Sequence, residues 1–200
     1  MRHRLLLRRR TGLLAAVLLV ALSGGAIPAA ADAGITDDPL VLVTAAVWDG
    51  APVDEIPAGP MVAGGFHIHA HLSIFVDGVQ AWLPAGVGVT RPIVLDPARP
   101  DPVVTAAAGF YWLHTHDESG VIHAEAPQPH AFTLGQFFDI WGQPLSRHRV
   151  GPAQGDVSVL VDGQLFEGDP RSVPITSHAT IQLNVGQDVA FQPYLFPSNY

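Results

Sequence analysis

The sequence predicts a mainly β fold: a β-rich α+β domain, built as an antiparallel sandwich or partly open barrel with one short amphipathic helix. Three observations predict it. Apolar and polar residues alternate along several short runs, Asp-Gly pairs close two of those runs, and the period shifts to 3.6 only once, near residue 134.

The chain opens on a segment that reads as an address. Arg2, Arg4, Arg8, Arg9 and Arg10 precede an apolar run over residues 13–22, and Ala29-Ala30-Ala31 and Ala31-Asp32-Ala33 both fit a small-residue cleavage site. Residues 1–33 are therefore expected to be a signal peptide, and the protein is expected outside the cytoplasm: secreted, in a cell wall or in a periplasm. The apolar run falls short of the roughly 20 residues of a membrane span, so no stable membrane anchor is expected. Arg8-Arg9-Arg10 leaves Sec and twin-arginine export both open.

Behind the leader the charge is one-sided. From Asp32 onwards 18 acidic residues face five arginines, no lysine is present, and the formal charge is −13 with neutral histidines. Such a surface repels nucleic acid and concentrates cations. The chain holds no cysteine, so an exported domain of about 167 residues must rely on packing, and possible metal binding, rather than on disulfides.

Residues 34–65 read as a flexible lead-in rich in Ala, Pro, Gly and Asp, with a possible edge strand from Leu40 to Trp48. Residues 66–200 read as one β-rich domain. Over 66–76, Ile68, Ala70, Leu72, Ile74 and Val76 alternate with His67, His69, His71, Ser73 and Phe75. Asp77-Gly78 is a hairpin turn, and Val79 to Leu83 returns. Pro and Gly over 84–102 predict a long surface loop. A strand is expected over 106–116, a turn at Asp117-Glu118-Ser119-Gly120, and a return over 121–125. Leu134, Phe137, Phe138 and Trp141 then form a helical stripe, with Thr133 as N-cap, Gln136 completing a capping box, Phe132 and Phe137 at the staple positions and Gly142 as C-cap. A polar connection over 146–154 leads to a strand over 157–161 that ends at Asp162-Gly163. Two strand-like segments follow around His178. LSIFVDG (72–78) and VSVLVDG (157–163) are similar enough to suggest a repeated β unit. The segment 191–200 is expected to pack along the surface without regular structure.

The chemistry lies in the histidines. A four-residue loop at 117–120 pairs His114 with His123 across a hairpin, and period two puts His116 on the same face. Three imidazoles then converge in the arrangement that leaves a fourth tetrahedral position open. The triplet His67, His69, His71 has a limit of its own. Positions i and i+4 on a strand lie about 13 Å apart, so at most two neighbours can share an ion. The six candidate metal ligands are thus His67, His69, His71, His114, His116 and His123, for one or two divalent transition ions per chain. Copper or zinc suits imidazole, and no thiolate competes. Glu125 and Asp117 stand close enough in sequence to ligate, to orient an imidazole, or to carry a proton. His130, His148 and His178 read as surface or core residues.

Residues 69–78, 113–123 and 132–142 (HAHLSIFVDG, LHTHDESGVIH, FTLGQFFDIWG) resemble strings shared by a group of exported bacterial histidine-rich proteins. The resemblance implies that His69, His71, His114, His116, His123 and the helix belong to one domain type, and it carries no activity with it. Residues 65–69 are also similar to a string of copper–zinc superoxide dismutases, and 113–120 to the opening motif of PHP-type phosphoesterases. The disulfide and later ligand spacings of the first and the barrel of the second do not follow here.

Three functions fit these residues. The foremost is an exported transition-metal-binding protein for buffering, delivery or sensing of copper(II) or zinc. The second is a metalloenzyme whose open three-histidine site activates water or dioxygen. It should enclose that position with apolar side chains, and Phe75, Phe110 and Trp112 have the parity for it. The third is a non-catalytic interaction module with pH-responsive histidines.

Overall fold

Alternation and turn chemistry set most of the chain's elements, and the computed structural model describes them over residues 48–200. The leader, the start of the lead-in and the possible edge strand up to Val47 lie outside the described residues. β1 (Ala58–Gly59) precedes the longest strand, β2 (Phe66–Val76), and Asp77-Gly78 turns the chain into β3 (Val79–Ala81). Asp77 itself has φ 48°, the left-handed conformation that Asp and Gly tolerate in a two-residue hairpin turn.

β4 (Val89–Leu95) and β5 (Val104–Tyr111) pair antiparallel, with register shifts between Thr90 and Ile93 where Pro92 supplies no N–H. This corrects the expectation of a loop over 84–102. The apolar residues Leu83, Val87 and Val89 are buried there, and their burial outweighs the turn tendency of the interspersed Pro and Gly.

The strand expected over 106–116 is broken at Trp112. β5 joins a three-stranded sheet, β1-β5-β4, whereas β6 (Leu113–His114) joins the main sheet and pairs with β7 (Val121–Ala126). One apolar run thus serves two layers, as strands do at the corners of packed sheets.

β8 (Phe132–Thr133) leads into α1 (Leu134–Trp141), and both ends of the helix are as the sequence specifies. The Thr133 side chain accepts from the Gln136 N–H, Gln136 Oε1 accepts from the Thr133 N–H at 3.0 Å, and Gly142 closes the helix in the left-handed region. Phe137, Phe138 and Trp141 are buried against the core. Arg171, in the single turn Pro170–Ser172, pairs with Asp139 of the helix.

β9 (Leu145–Ser146), β10 (Arg149–Val150) and β11 (Ala153–Gln154) make a small sheet within what the sequence presents as a polar connection. β12 (Val157–Val161), β13 (Gln164–Leu165), β14 (Pro174–Ile175) and β15 (Thr180–Val185) complete the strands.

The main sheet has the order β13-β12-β15-β2-β7-β6, with β3 also on β2. Every pair in it is antiparallel except β15 with β2. The similar strings in β2 and β12 therefore flank β15 and run in opposite directions. The fold is mainly β, with several antiparallel sheets, one short helix and no closed barrel among the described residues, and it fits a β-rich sandwich. Among the described residues no helix is long and apolar enough to cross a membrane.

Two segments are more tightly held than composition suggests. Within the lead-in, Ile56 is only 1% exposed, Trp48 Nε1 donates to the Ile140 carbonyl, and Tyr111 Oη donates to the Ala51 carbonyl at 2.5 Å. Trp48, Val53, Ile56 and Ala58 of the lead-in thus pack on the core, while residues 60–65 stay largely exposed. Residues 187–200, which include the 191–200 stretch expected to lie along the surface, have no regular structure and cross the polar face of the sheet. Gln182 Nε2 donates to the Val189 carbonyl and Gln182 Oε1 accepts from the Gln192 N–H, which anchors the start of that crossing.

Candidate metal centre

Register brings the histidines together. His69 on β2 faces His123 on β7, which faces His114 on β6, so three imidazoles form a row across adjacent strands. His67 faces Glu125 in the next row. The pairing of His114 with His123 is the one derived from a four-residue loop, and Gly120 shows why the turn is so tight. It has φ 86°, and a Cβ there would collide with the Leu72 carbonyl oxygen.

Two of the rings are fixed from behind by the backbone. His114 Nδ1 lies 2.9 Å from the Tyr111 carbonyl, and His116 Nδ1 lies 2.7 Å from the Val104 carbonyl. A carbonyl can only accept, so both Nδ1 atoms carry a proton, and in the neutral ring this leaves the lone pair on Nε2. Those Nε2 atoms face each other at 3.3 Å. Between them in sequence, Thr115 is fully buried and is tied to the Pro84 carbonyl and the Val87 N–H, so the segment carrying both rings has little freedom. Phe110 packs against both rings, at centroid distances of 5.0 and 5.6 Å.

On the β2 side, His123 Nδ1 is 3.2 Å from His69 Nε2 and 3.4 Å from His67 Nε2. Glu125, 3% exposed, sets Oε1 3.2 Å from His67 Nε2, 3.9 Å from His123 Nδ1 and 4.0 Å from His114 Nε2. Two groups of nitrogen donors follow, each with its ligand atoms within 4.8 Å of one another: His114, His116 and His123, and His67, His69 and His123. Either can hold a metal ion.

The electrostatics keep most of these rings in their ligating form. Burial, then the imidazoles of His114 and His116, pushes His123 down to about 2. Burial, then His116, pushes His114 down to about 3. Burial, then His67, lowers His69 to about 4. A buried carboxylate beside buried imidazoles, in a chain without lysine, is an environment that a cation relieves.

The remaining sequence candidates separate from the centre. His71 belongs to neither group. Its Nε2 is 3.0 Å from the Ser119 carbonyl, its ring stacks on Tyr194 at 3.8 Å, and burial lowers it to about 4. The third histidine of the alternation is thus packed against the hairpin loop, apart from the two donor groups. Asp117 Oδ1 accepts from the Ser119 N–H and hydroxyl, which makes it the cap of its own turn. Trp112 meets His130 edge-on, away from the lone pairs. His148 pairs with Asp156 on the surface. His178 Nε2 contacts the Tyr200 carbonyl at 3.1 Å.

Sequence reasoning missed Tyr200, whose ring stacks on His69 at 4.4 Å and meets His123 edge-on at 5.7 Å. Only the aromatic content of 191–200 hinted at it, and nothing in that stretch names its partner.

No family model, curated protein or solved structure matches the chain. The chemistry of the centre therefore rests on its own geometry.

Proposed function

We propose that this chain is an exported transition-metal-binding protein that holds copper(II) or zinc at the histidine centre, for buffering, delivery or sensing. The observation that carries this reading is the His114–His116 pair. With both rings neutral, the two Nε2 lone pairs lie 3.3 Å apart, a separation that suits two donors on one tetrahedral ion, and burial disfavours a proton on His114. The donors are imidazole and carboxylate, with no thiolate, which suits late divalent first-row ions and disfavours copper(I). The carbonyls behind His114 and His116 supply the orienting hydrogen bonds that metal-ligating histidines ordinarily have. Export is proposed from the leader sequence alone.

The test is elemental analysis of untagged protein from the extracytoplasmic fraction, beside His116→Ala. His116 is only half-buried, so its removal spares the core. Wild type is expected to carry at least one equivalent of copper or zinc, and the variant about one equivalent less. Equal metal in both proteins, or none in either, removes the reading.

The metalloenzyme reading draws its support from Phe110, which gives the pair an apolar wall, and from Glu125 as a buried carboxylate. It requires turnover of a substrate that disappears in His116→Ala together with the metal.

A further inference from the structure

We propose that the centre is binuclear, with the His123 imidazole bridging two late divalent ions: one held with His114 and His116, the other with His67 and His69. The proposal rests on the metal-binding reading above and concerns how many ions the centre takes and how they are linked.

His123 is common to both donor groups. Each imidazole nitrogen offers one lone pair, so serving two ions requires both nitrogens, one for each. Nδ1 is already placed: it lies 3.2 and 3.4 Å from the Nε2 atoms of His69 and His67. That leaves Nε2 for the ion shared with His114 and His116.

A single ion serving all five rings is disfavoured on two grounds. Late divalent ions such as zinc are satisfied by about four donors. The rings of His114 and His116 cannot swing across either, because each is pinned through Nδ1 to a backbone carbonyl. His71 lies outside both donor groups, with its ring stacked on Tyr194.

Charge is provided for as well. Glu125 Oε1 sits within 4.0 Å of donors from both groups, so one carboxylate offsets part of the repulsion between the ions. Binding through both nitrogens releases the remaining ring proton of His123 to solvent, and the resulting negative ring lies between the two cations. No electron transfer is involved.

Copper(II) titrated into metal-free, untagged full-length protein tests this by stoichiometry and by electron paramagnetic resonance. After gel filtration to remove loosely held ions, two equivalents are expected. The spectrum of the doubly loaded protein is expected to show exchange coupling and loss of the isolated copper(II) signal. His67→Ala and His116→Ala, both at accessible rings, should each retain one equivalent with an uncoupled spectrum.

One equivalent in wild type, unchanged by His67→Ala, overturns the binuclear proposal and leaves the metal-binding reading standing. Two equivalents without coupling overturn the bridge. No retained copper or zinc removes both readings. Wild-type stoichiometry and coupling need no variant, so a variant that fails to fold does not rescue the proposal.

Discussion

The two donor groups that meet at His123 differ in how much of their geometry exists before any ion arrives. His114 and His116 are locked through Nδ1 to backbone carbonyls, with buried Thr115 between them. On the other side, the His67 side chain is 43% exposed and leans on Glu125, and His69 is held by the ring of Tyr200. The first group is preorganised by main chain, the second by side chains that can move. Rigid donors lose little entropy on binding, so the first group should fill first and release last.

The largest effect expected is on the metal-free protein in acid. His69, His71, His114 and His123 all have folded-state values below the ordinary 6.5, to about 4, 4, 3 and 2. Below 6.5 the unfolded chain takes up protons that the folded chain refuses. The stability from burying neutral rings is therefore complete above pH 6.5 and drains away as pH falls towards 4 and lower. Each of the four rings steepens the fall across that window. Melting curves from pH 8 to 4 should show a steep fall without metal and a shallower one with saturating zinc. A flat profile in the metal-free protein would mean that these rings are not buried as described.

Next in size is Gly88→Ala. Gly88 has φ 68°, and a Cβ there would collide with the Leu113 carbonyl oxygen and lie 3.3 Å from His114 Cα. The strand carrying His114 must shift, at a cost on the order of 3 kcal/mol. Denaturant unfolding should show that loss, and copper titration should show the His114–His116 ion weakened while the His67–His69 ion is kept. Equal weakening at both would erase the distinction between them.

Glu125→Gln keeps the shape and removes the charge. It should weaken ion binding by roughly 10–100-fold, the scale of orienting and charge-balancing partners, with the His67 end affected more because Oε1 is nearest that ring. Isothermal titration calorimetry reads both steps. The smallest effect belongs to the helix behind β6. Thr133→Ala removes the cap at about 1 kcal/mol and should leave both affinities unchanged, since no donor rests on the first turn.

Local chemistry made part of this centre legible in the sequence. A turn of four residues fixes which positions oppose, so His114 against His123 follows from spacing alone, as does the helix from its capping box and stripe. The row that adds His69 does not follow. β2 and β7 pair across a long intervening stretch, and no local signal selects that partner or sets its register. Alternation showed that His67, His69 and His71 share a face, but only the neighbouring strands decide that His71 meets a loop carbonyl while His69 meets an imidazole. β4 is not legible because Pro92 within it and Gly86 and Gly88 before it mimic a loop, while its pairing with β5 is tertiary.

The phenol of Tyr200 lies against His69 within ring-stacking distance. An open-shell ion on that imidazole would quench light emitted by the tyrosine, whereas a closed-shell ion such as zinc would leave it bright. The part of the chain's emission that is lost in Tyr200→Phe would therefore report an open-shell ion at the His67–His69 end, against a background of two other tyrosines and four tryptophans.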